Sequence, residues 1–147
     1  MRYLMWMWLL IVLCACQGDS DTTTIIPPTI DPKNAPFFPQ LKPTQPPAPS
    51  MEAIIDGTLV LDGRCIHIQA LDTRYLLIWE PSVRIFGSGG AAVRMVDPKN
   101  QINSFIGEHV RVSGGGVNRS SPLLDGLYEP LPIECPGPYW LASGFVR

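Results

Sequence analysis

Hydrophobic and polar positions alternate in short runs over the chain beyond Glu52, and Gly, Asp and Pro separate these runs. A period of two places apolar side chains on one face of a strand, so the pattern predicts a fold built from short strands. We expect strands over residues 53–61, 65–70, 75–79, 83–86, 92–96, 109–113 and 139–146. Asp62-Gly63 predicts a tight hairpin turn between the first two, because Gly accepts a positive φ freely.

A single short helix is predicted over residues 98–106. Asp97 followed by Pro98 is typical of an N-cap and first helical position, and Gly107 would end the helix. Strands, one helix and then further strands follow the layout of the oligonucleotide/oligosaccharide-binding (OB) barrel, which this segment resembles.

The resemblance covers residues 53–146 and rests on Gly57, Gly63 and the strand entry at residues 107–114. It implies an all-β domain, a small OB-like barrel or sandwich with at most one short helix. The domain would occupy residues 52–147.

The N-terminus has the layout of an export signal. Arg2 precedes an apolar run over residues 3–13, which small residues follow. The run is too short to span a bilayer, because a transmembrane helix needs about 20 apolar residues. We expect a signal peptide over residues 1–15.

The residues at the end of this run are Leu13-Cys14-Ala15-Cys16, and they resemble the lipobox of bacterial lipoproteins. The resemblance implies cleavage before Cys16 and a diacylglycerol on its thiol, with a further acyl group often added to the new amine. Two or more chains anchor a protein stably in a membrane. The alternative is an ordinary secretory signal, which would release the protein.

Residues 16–51 are rich in proline, with nine prolines between residues 27 and 49. Proline blocks helices and central strands, so this segment is expected to be a disordered, semi-rigid linker. Another interpretation is a ligand for a polyproline-binding groove, centred on Pro36-Phe37-Phe38-Pro39. A spacer does not explain this Phe pair, and packing back against the domain would.

Length and charge exclude two classes of function. The 147 residues exclude a large multidomain enzyme, and the net charge of −2 provides no basic field that would attract nucleic acid. From Glu52 onward, 10 acidic residues face 8 basic ones. No nucleic-acid partner is expected.

Two cysteines, Cys65 and Cys135, lie in the predicted domain. In an exported protein such a pair is expected to form a disulfide, which would tie the second strand to the loop before the last one. A redox-active pair is the alternative, but the C-x-x-C spacing is missing.

The glycine-rich segments do not predict a nucleotide site. Residues 87–92 match G-x-G-x-x-A, yet an alternating strand pattern follows where the motif needs a helix, so a hairpin loop is expected. Residues 113–116 indicate a bulge or barrel corner.

His67 and His109 are the two histidines, and each is expected to face outward from a strand. A metal site would need both to converge with an acid, and no metal-ligand spacing is present. No nucleophile elbow of the G-x-S-x-G type occurs. We expect no metal, no cofactor and no enzymatic activity.

The aromatic residues either fill the core or form a stacking face for a ligand. Trp79, Tyr139 and Trp140 are the ligand-binding candidates, because nearby prolines place them close to strand ends. The sequence therefore predicts a non-enzymatic interaction or structural module of the cell envelope, lipid-anchored to a membrane on its extracytoplasmic side. Its partners would be an envelope protein, peptide or glycan. The alternative is a glycan- or peptide-binding protein that uses an aromatic surface.

Overall fold

A computed structural model describes residues 35–43, 51–87 and 92–147. The predicted signal peptide, the Cys16 lipidation site and much of the proline-rich linker lie outside these residues. Among the residues described, no helix has the length and apolar character needed to cross a membrane.

The described residues form short strands and one 3-10 helix, Pro122–Gly126. The strands are β1 Ala53–Asp62, β2 Cys65–Ala70, β3 Thr73–Trp79, β4 Arg84–Phe86, β5 Arg94–Asp97, β6 Ile102–Phe105, β7 His109–Val117 and β8 Tyr139–Val146.

Five strands close into a barrel in the order β1-β2-β3-β8-β7. Strand β1 pairs antiparallel with both β2 and β7, whereas β3 runs parallel to β8. This connectivity is that of a five-stranded OB-like barrel, so the predicted all-β fold class is confirmed.

Strands β4 and β5 lie in segments that were predicted to be strands, and β6, which lies where the helix was predicted, joins them in a three-stranded sheet. The prediction of a helix over residues 98–106 is wrong. Asp97 does cap a turn, since its Oδ1 accepts hydrogen bonds from the backbone N of Lys99 at 3.1 Å and of Asn100 at 3.2 Å. Gln101 then takes a φ of 55°, which breaks the helical path, and β6 turns back to pair with β5.

The barrel interior holds the main hydrophobic core. Trp79 at its centre is fully buried, and its ring lies 5.1 Å from that of Phe145, centroid to centroid. The aliphatic residues that complete this core are Ile55, Leu59, Ile66, Ile68, Leu77, Val83, Val93, Val110 and Val112.

A β-bulge between β7 and β8 changes which side chains point inward. Gly114 pairs with Ala142 and Ser113 with Gly144, so Ser143 is an extra residue on β8. The alternation shifts by one, and Phe145 enters the core in place of Gly144. A bulge or barrel corner was predicted at residues 113–116; the register shifts between Ser113 and Gly114, but the extra residue lies on the partner strand β8.

A second hydrophobic layer covers the outer face of β2, β3 and β8. Leu76, Ile78 and Leu141 point into it from the strands. Residues 122–138 cover them from outside, together with residues 37–41, which we call the strap.

The strap belongs to the fold, although the sequence placed it in the disordered linker. Phe37 and Leu41 are buried. The backbone N of Phe37 donates to the carbonyl of Arg64 at 2.6 Å, and that of Leu41 donates to Trp79 at 2.9 Å. The Phe38 ring stacks on Trp79 with centroids 5.9 Å apart. The expected packing of the Phe pair against the domain is therefore confirmed, and the folded unit begins before residue 52.

Cys65 and Cys135 form a disulfide, with 5.6 Å between their Cα atoms. It joins the first residue of β2 to the segment before β8, as predicted. The bond fastens the outer layer to the barrel.

Candidate functional site

The three aromatic residues proposed for ligand stacking lie in the core. Trp79 has an exposed fraction of 0%, Tyr139 of 4% and Trp140 of 8%. Trp140 meets Tyr75 edge-on inside the barrel, at 6.0 Å between ring centroids. These side chains offer no open face to a sugar or base, so the alternative expectation, that they fill the core, is confirmed.

The face on which OB barrels bind chain ligands is covered by the protein itself. In such barrels the second and third strands and the flanking loops form the binding face. Here the strap and residues 122–138 occupy the outer surface of β2 and β3. An open cleft lies at the edge of this outer layer.

This cleft has a volume of about 450 Å³ and reaches the side chain of His67. Its walls come from two regions far apart in the sequence, the turn after β1 and the segment beside the disulfide. The charged residues around it are Asp62, Arg64, Arg74 and Glu134. The sequence did not predict this cleft, because no local motif indicates that the turn after β1 lies next to residues 134–137.

His67 faces away from the barrel interior, as predicted, but the outer layer covers it to an exposed fraction of 5%. Its Nδ1 lies 3.2 Å from the carbonyl oxygen of Cys65. Burial lowers the pKa of His67 below its usual 6.5, because the charged imidazolium loses its hydration. The cleft therefore contains a neutral imidazole near neutral pH.

The two histidines do not converge. His67 pairs with Val60 on one side of β1, and His109 pairs with Thr58 on the other. His109 is exposed, as predicted, and its Nε2 lies 3.0 Å from Oδ1 of Asp56. Across the described ranges, no group of three His, Cys, Asp or Glu residues could hold a metal ion.

The Asp56–His109 pair forms a charged surface patch with Arg111, whose Nε is 3.9 Å from Oδ2 of the same carboxylate. More than half of each carboxylate and imidazole side chain is exposed. Exposed pairs of this kind contribute little to stability. What the patch presents is a mixed-charge surface across β1 and β7.

The glycine-rich segment at residues 87–92 joins two antiparallel strands, since β4 and β5 pair with each other. A dinucleotide fingerprint would require a helix after it. The antiparallel pairing of the two flanking strands confirms the expected hairpin. Residues 88–91, within its loop, lie outside the described ranges.

Exposed aromatic rings lie elsewhere. Phe86 and Phe105 are exposed on the small sheet, and Tyr128 is exposed beside the strap. Phe105 falls in the segment predicted to be helical, so sequence analysis could not align it with Phe86. The two rings lie on one row of the sheet because of the register of β4, β5 and β6, which no single sequence segment indicates.

Comparison with protein-family models, with curated protein sequences and with solved structures found no match to this chain. We therefore infer its function from its residues and their geometry.

Proposed function

We propose that this protein is a lipid-anchored lipoprotein of the cell envelope, whose extracytoplasmic β domain is a non-enzymatic interaction module. The Leu13-Cys14-Ala15-Cys16 motif supports the anchor. The proline-rich segment between Cys16 and the strap would hold the domain away from the lipid headgroups.

The observation that carries the proposal is the pairing of the cysteines. Cys65 and Cys135 bond to each other. Disulfides persist in oxidising compartments outside the cytoplasm. A mature chain that begins at Cys16 retains no other cysteine with which Cys16 could pair. Its thiol is then free for lipid.

The role as an interaction module is supported by the covered face of β2 and β3. The strap and residues 122–138 fill the place where a chain ligand would lie on an OB barrel. The barrel then serves as a rigid support, and its remaining exposed surfaces are available to partners.

The test is the intact mass and membrane association of the full-length protein extracted from native membranes. We expect a chain that begins at Cys16, with the added mass of two or three acyl groups and one disulfide. Cys16→Ala should remove the acyl mass and the membrane association together, because the acyl chains are the proposed attachment to the membrane.

Cys14→Ala is the matched control, since alanine is common at this position of a lipobox. This variant should keep both the lipid and the membrane association. An unlipidated wild-type protein, or a Cys16→Ala variant that still sediments with membranes after a carbonate wash, would contradict the proposal.

A further inference from the structure

The outer face of the small sheet carries a row of two phenyl rings with a guanidinium between them. In the strand register Phe86 of β4 pairs with Arg94 of β5, and Arg94 pairs with Phe105 of β6. Side chains at directly opposed positions point to the same face of a sheet. The three side chains therefore form one line across the strands.

This line faces solvent. The adjacent row contains Met95, which is fully buried, and Ser104, which has an exposed fraction of 3%. Because successive residues point to opposite faces, the row of Phe86 and Phe105 points away from the core. Phe86 is 45% exposed and Phe105 is 40% exposed. A core role does not explain rings that are this accessible.

The positive charge of the face is not neutralised within the described part of the protein. The ion pairs there involve Arg74, His109 and Arg111, but neither Arg94 nor Arg84. Arg84 lies on the same outward face, one row along β4. Asp97, the carboxylate nearest to Arg94 in sequence, is buried and accepts hydrogen bonds from Asn100 and Phe145. Glu108, which follows β6, accepts a hydrogen bond from the backbone N of Phe105 at 3.0 Å.

The guanidinium of Arg94 is already oriented. Its Cζ lies 5.3 Å from the centroid of the Phe86 ring, which is within the range of a cation–π contact. Neighbouring strands are about 4.8 Å apart, so the two phenyl rings stand roughly 10 Å apart with the charge between them. An aromatic, a cation and an aromatic thus alternate across the outer face of the sheet.

We propose that the Phe86–Arg94–Phe105 row binds an acidic polysaccharide. Rigid sugar rings would stack on the phenyl faces, and a carboxylate on the sugar between them would meet Arg94 and Arg84. Stacking suits these exposed rings because it needs no pocket, whereas an extended peptide is bound by main-chain pairing and pockets for alternate side chains. The inference rests on the proposed function, because only an extracytoplasmic domain meets envelope glycans.

The test is the affinity of the purified full-length protein in detergent for polygalacturonate, a linear polymer with one carboxylate on each sugar. Its carboxyl-reduced, neutral form is the comparison polymer. We expect measurable binding to the charged polymer and markedly weaker binding to the neutral one. Phe86→Ala, Phe105→Ala and Arg94→Gln should each weaken binding by about tenfold, the order expected for loss of one stacked ring or one charged contact.

Phe86→Tyr should preserve binding, because it keeps a stacking ring. Tyr128→Ala is the matched control, since it removes an aromatic side chain of similar exposure away from the row. It should bind like the wild type. The melting temperature of each variant is measured as well. Binding is compared only among variants that melt at the wild-type temperature, so that a loss of binding does not reflect a loss of fold.

Three results would overturn the inference. They are equal binding by the wild type and Phe86→Ala, equal binding of the charged and neutral polymers, and preferential binding of polyglutamate or single-stranded DNA. The last would identify an acidic protein or a nucleic acid as the partner. Since binding is measured on purified protein, failure here is distinguishable from failure of the lipid anchor, which the Cys16→Ala experiment tests separately.

Discussion

The Asp97 side chain connects the small sheet to the barrel, because it accepts hydrogen bonds both from the turn after β5 and from β8. Its side chain is buried, and Oδ1 accepts from the two backbone N–H groups of the turn that follows it. Oδ2 accepts from Nδ2 of Asn100 at 2.8 Å and from the backbone N of Phe145 at 2.9 Å. A buried carboxylate is tolerated when donors surround it in this way. The same residue that caps a turn therefore also fixes the bulge of β8.

Gly144 is required at this bulge, and its substitution tests the arrangement. Its φ of 146° is unfavourable for other residues, and an added Cβ would lie 2.5 Å from Oδ2 of Asp97. We expect Gly144→Ala to lower the free energy of unfolding by about 2 kcal/mol or more, measured by chemical denaturation.

Gly116→Ala on β7 is the control, because nothing lies within 4 Å of its added Cβ. The control should be close to wild type. If Gly144→Ala were equally well tolerated, Asp97 would not be packed against the bulge as described.

At the scale of the elements, the strap lies in a proline-rich segment, yet it packs as part of the outer hydrophobic layer. Its Phe37 side chain is buried among the residues of the outer layer. We expect Phe37→Ala to lower the free energy of unfolding by about 3 kcal/mol, as for other buried Phe residues. Thermal or chemical unfolding of the full-length protein would measure this.

Lys42→Ala provides the comparison. Lys42 is exposed, and alanine retains its backbone N, which donates to the carbonyl of Gly126 at 2.7 Å. Lys42→Ala should change the free energy of unfolding by less than about 0.5 kcal/mol, as is usual for surface substitutions. Equal effects of the two substitutions would mean that the strap is only a linker.

Regular elements could be predicted where local pattern and turn chemistry agree. The bounds of β2 and β8 match the predicted ones, and a two-residue turn with Gly63 at a φ of 59° joins β1 to β2. Strand β6 was missed because the capping pattern at Asp97 starts a turn as readily as a helix. What decided between them is pairing with β5, which is a non-local interaction.

The candidate sites were harder to predict for the same reason. The burial of Trp79 and Tyr139 follows from two packed layers. In the proline-rich segment, the Phe37-Phe38 pair indicated packing against the domain, but its pattern did not show which layer it completes. The disulfide was predictable, since the domain contains two cysteines and these allow one pairing. The aromatic row needed the register of three strands, which no single segment contains.

At the scale of the whole molecule, His67 links pH to stability, since it is buried between the barrel and the outer layer. Its pKa is lowered by burial, so the unfolded chain binds a proton more readily than the folded protein. The contribution of the neutral ring is complete above about pH 6.5 and is lost as the pH falls through the lower, folded pKa. We expect the free energy of unfolding to decline over that window.

NMR titration of the His67 ring protons would measure this pKa directly, and His109→Gln would assign the signals. His67→Gln should flatten the decline in stability, because it removes the titrating group. A His67 pKa at or above 6.5 would contradict the prediction.

The place where the strap joins the fold also determines how the domain would carry a mechanical load. A pull on the chain N-terminal to Ala35 reaches the strap before any barrel strand. It acts on the hydrogen bonds that join the strap to Arg64, Trp79 and Tyr128. Arg64 adjoins Cys65, and Tyr128 lies in the segment of residues 122–138, which contains Cys135. Tension would therefore be passed to two parts of the protein that the disulfide already joins. Strand β1, which is the next element of the chain after the strap, would bear no tension until the strap had peeled away.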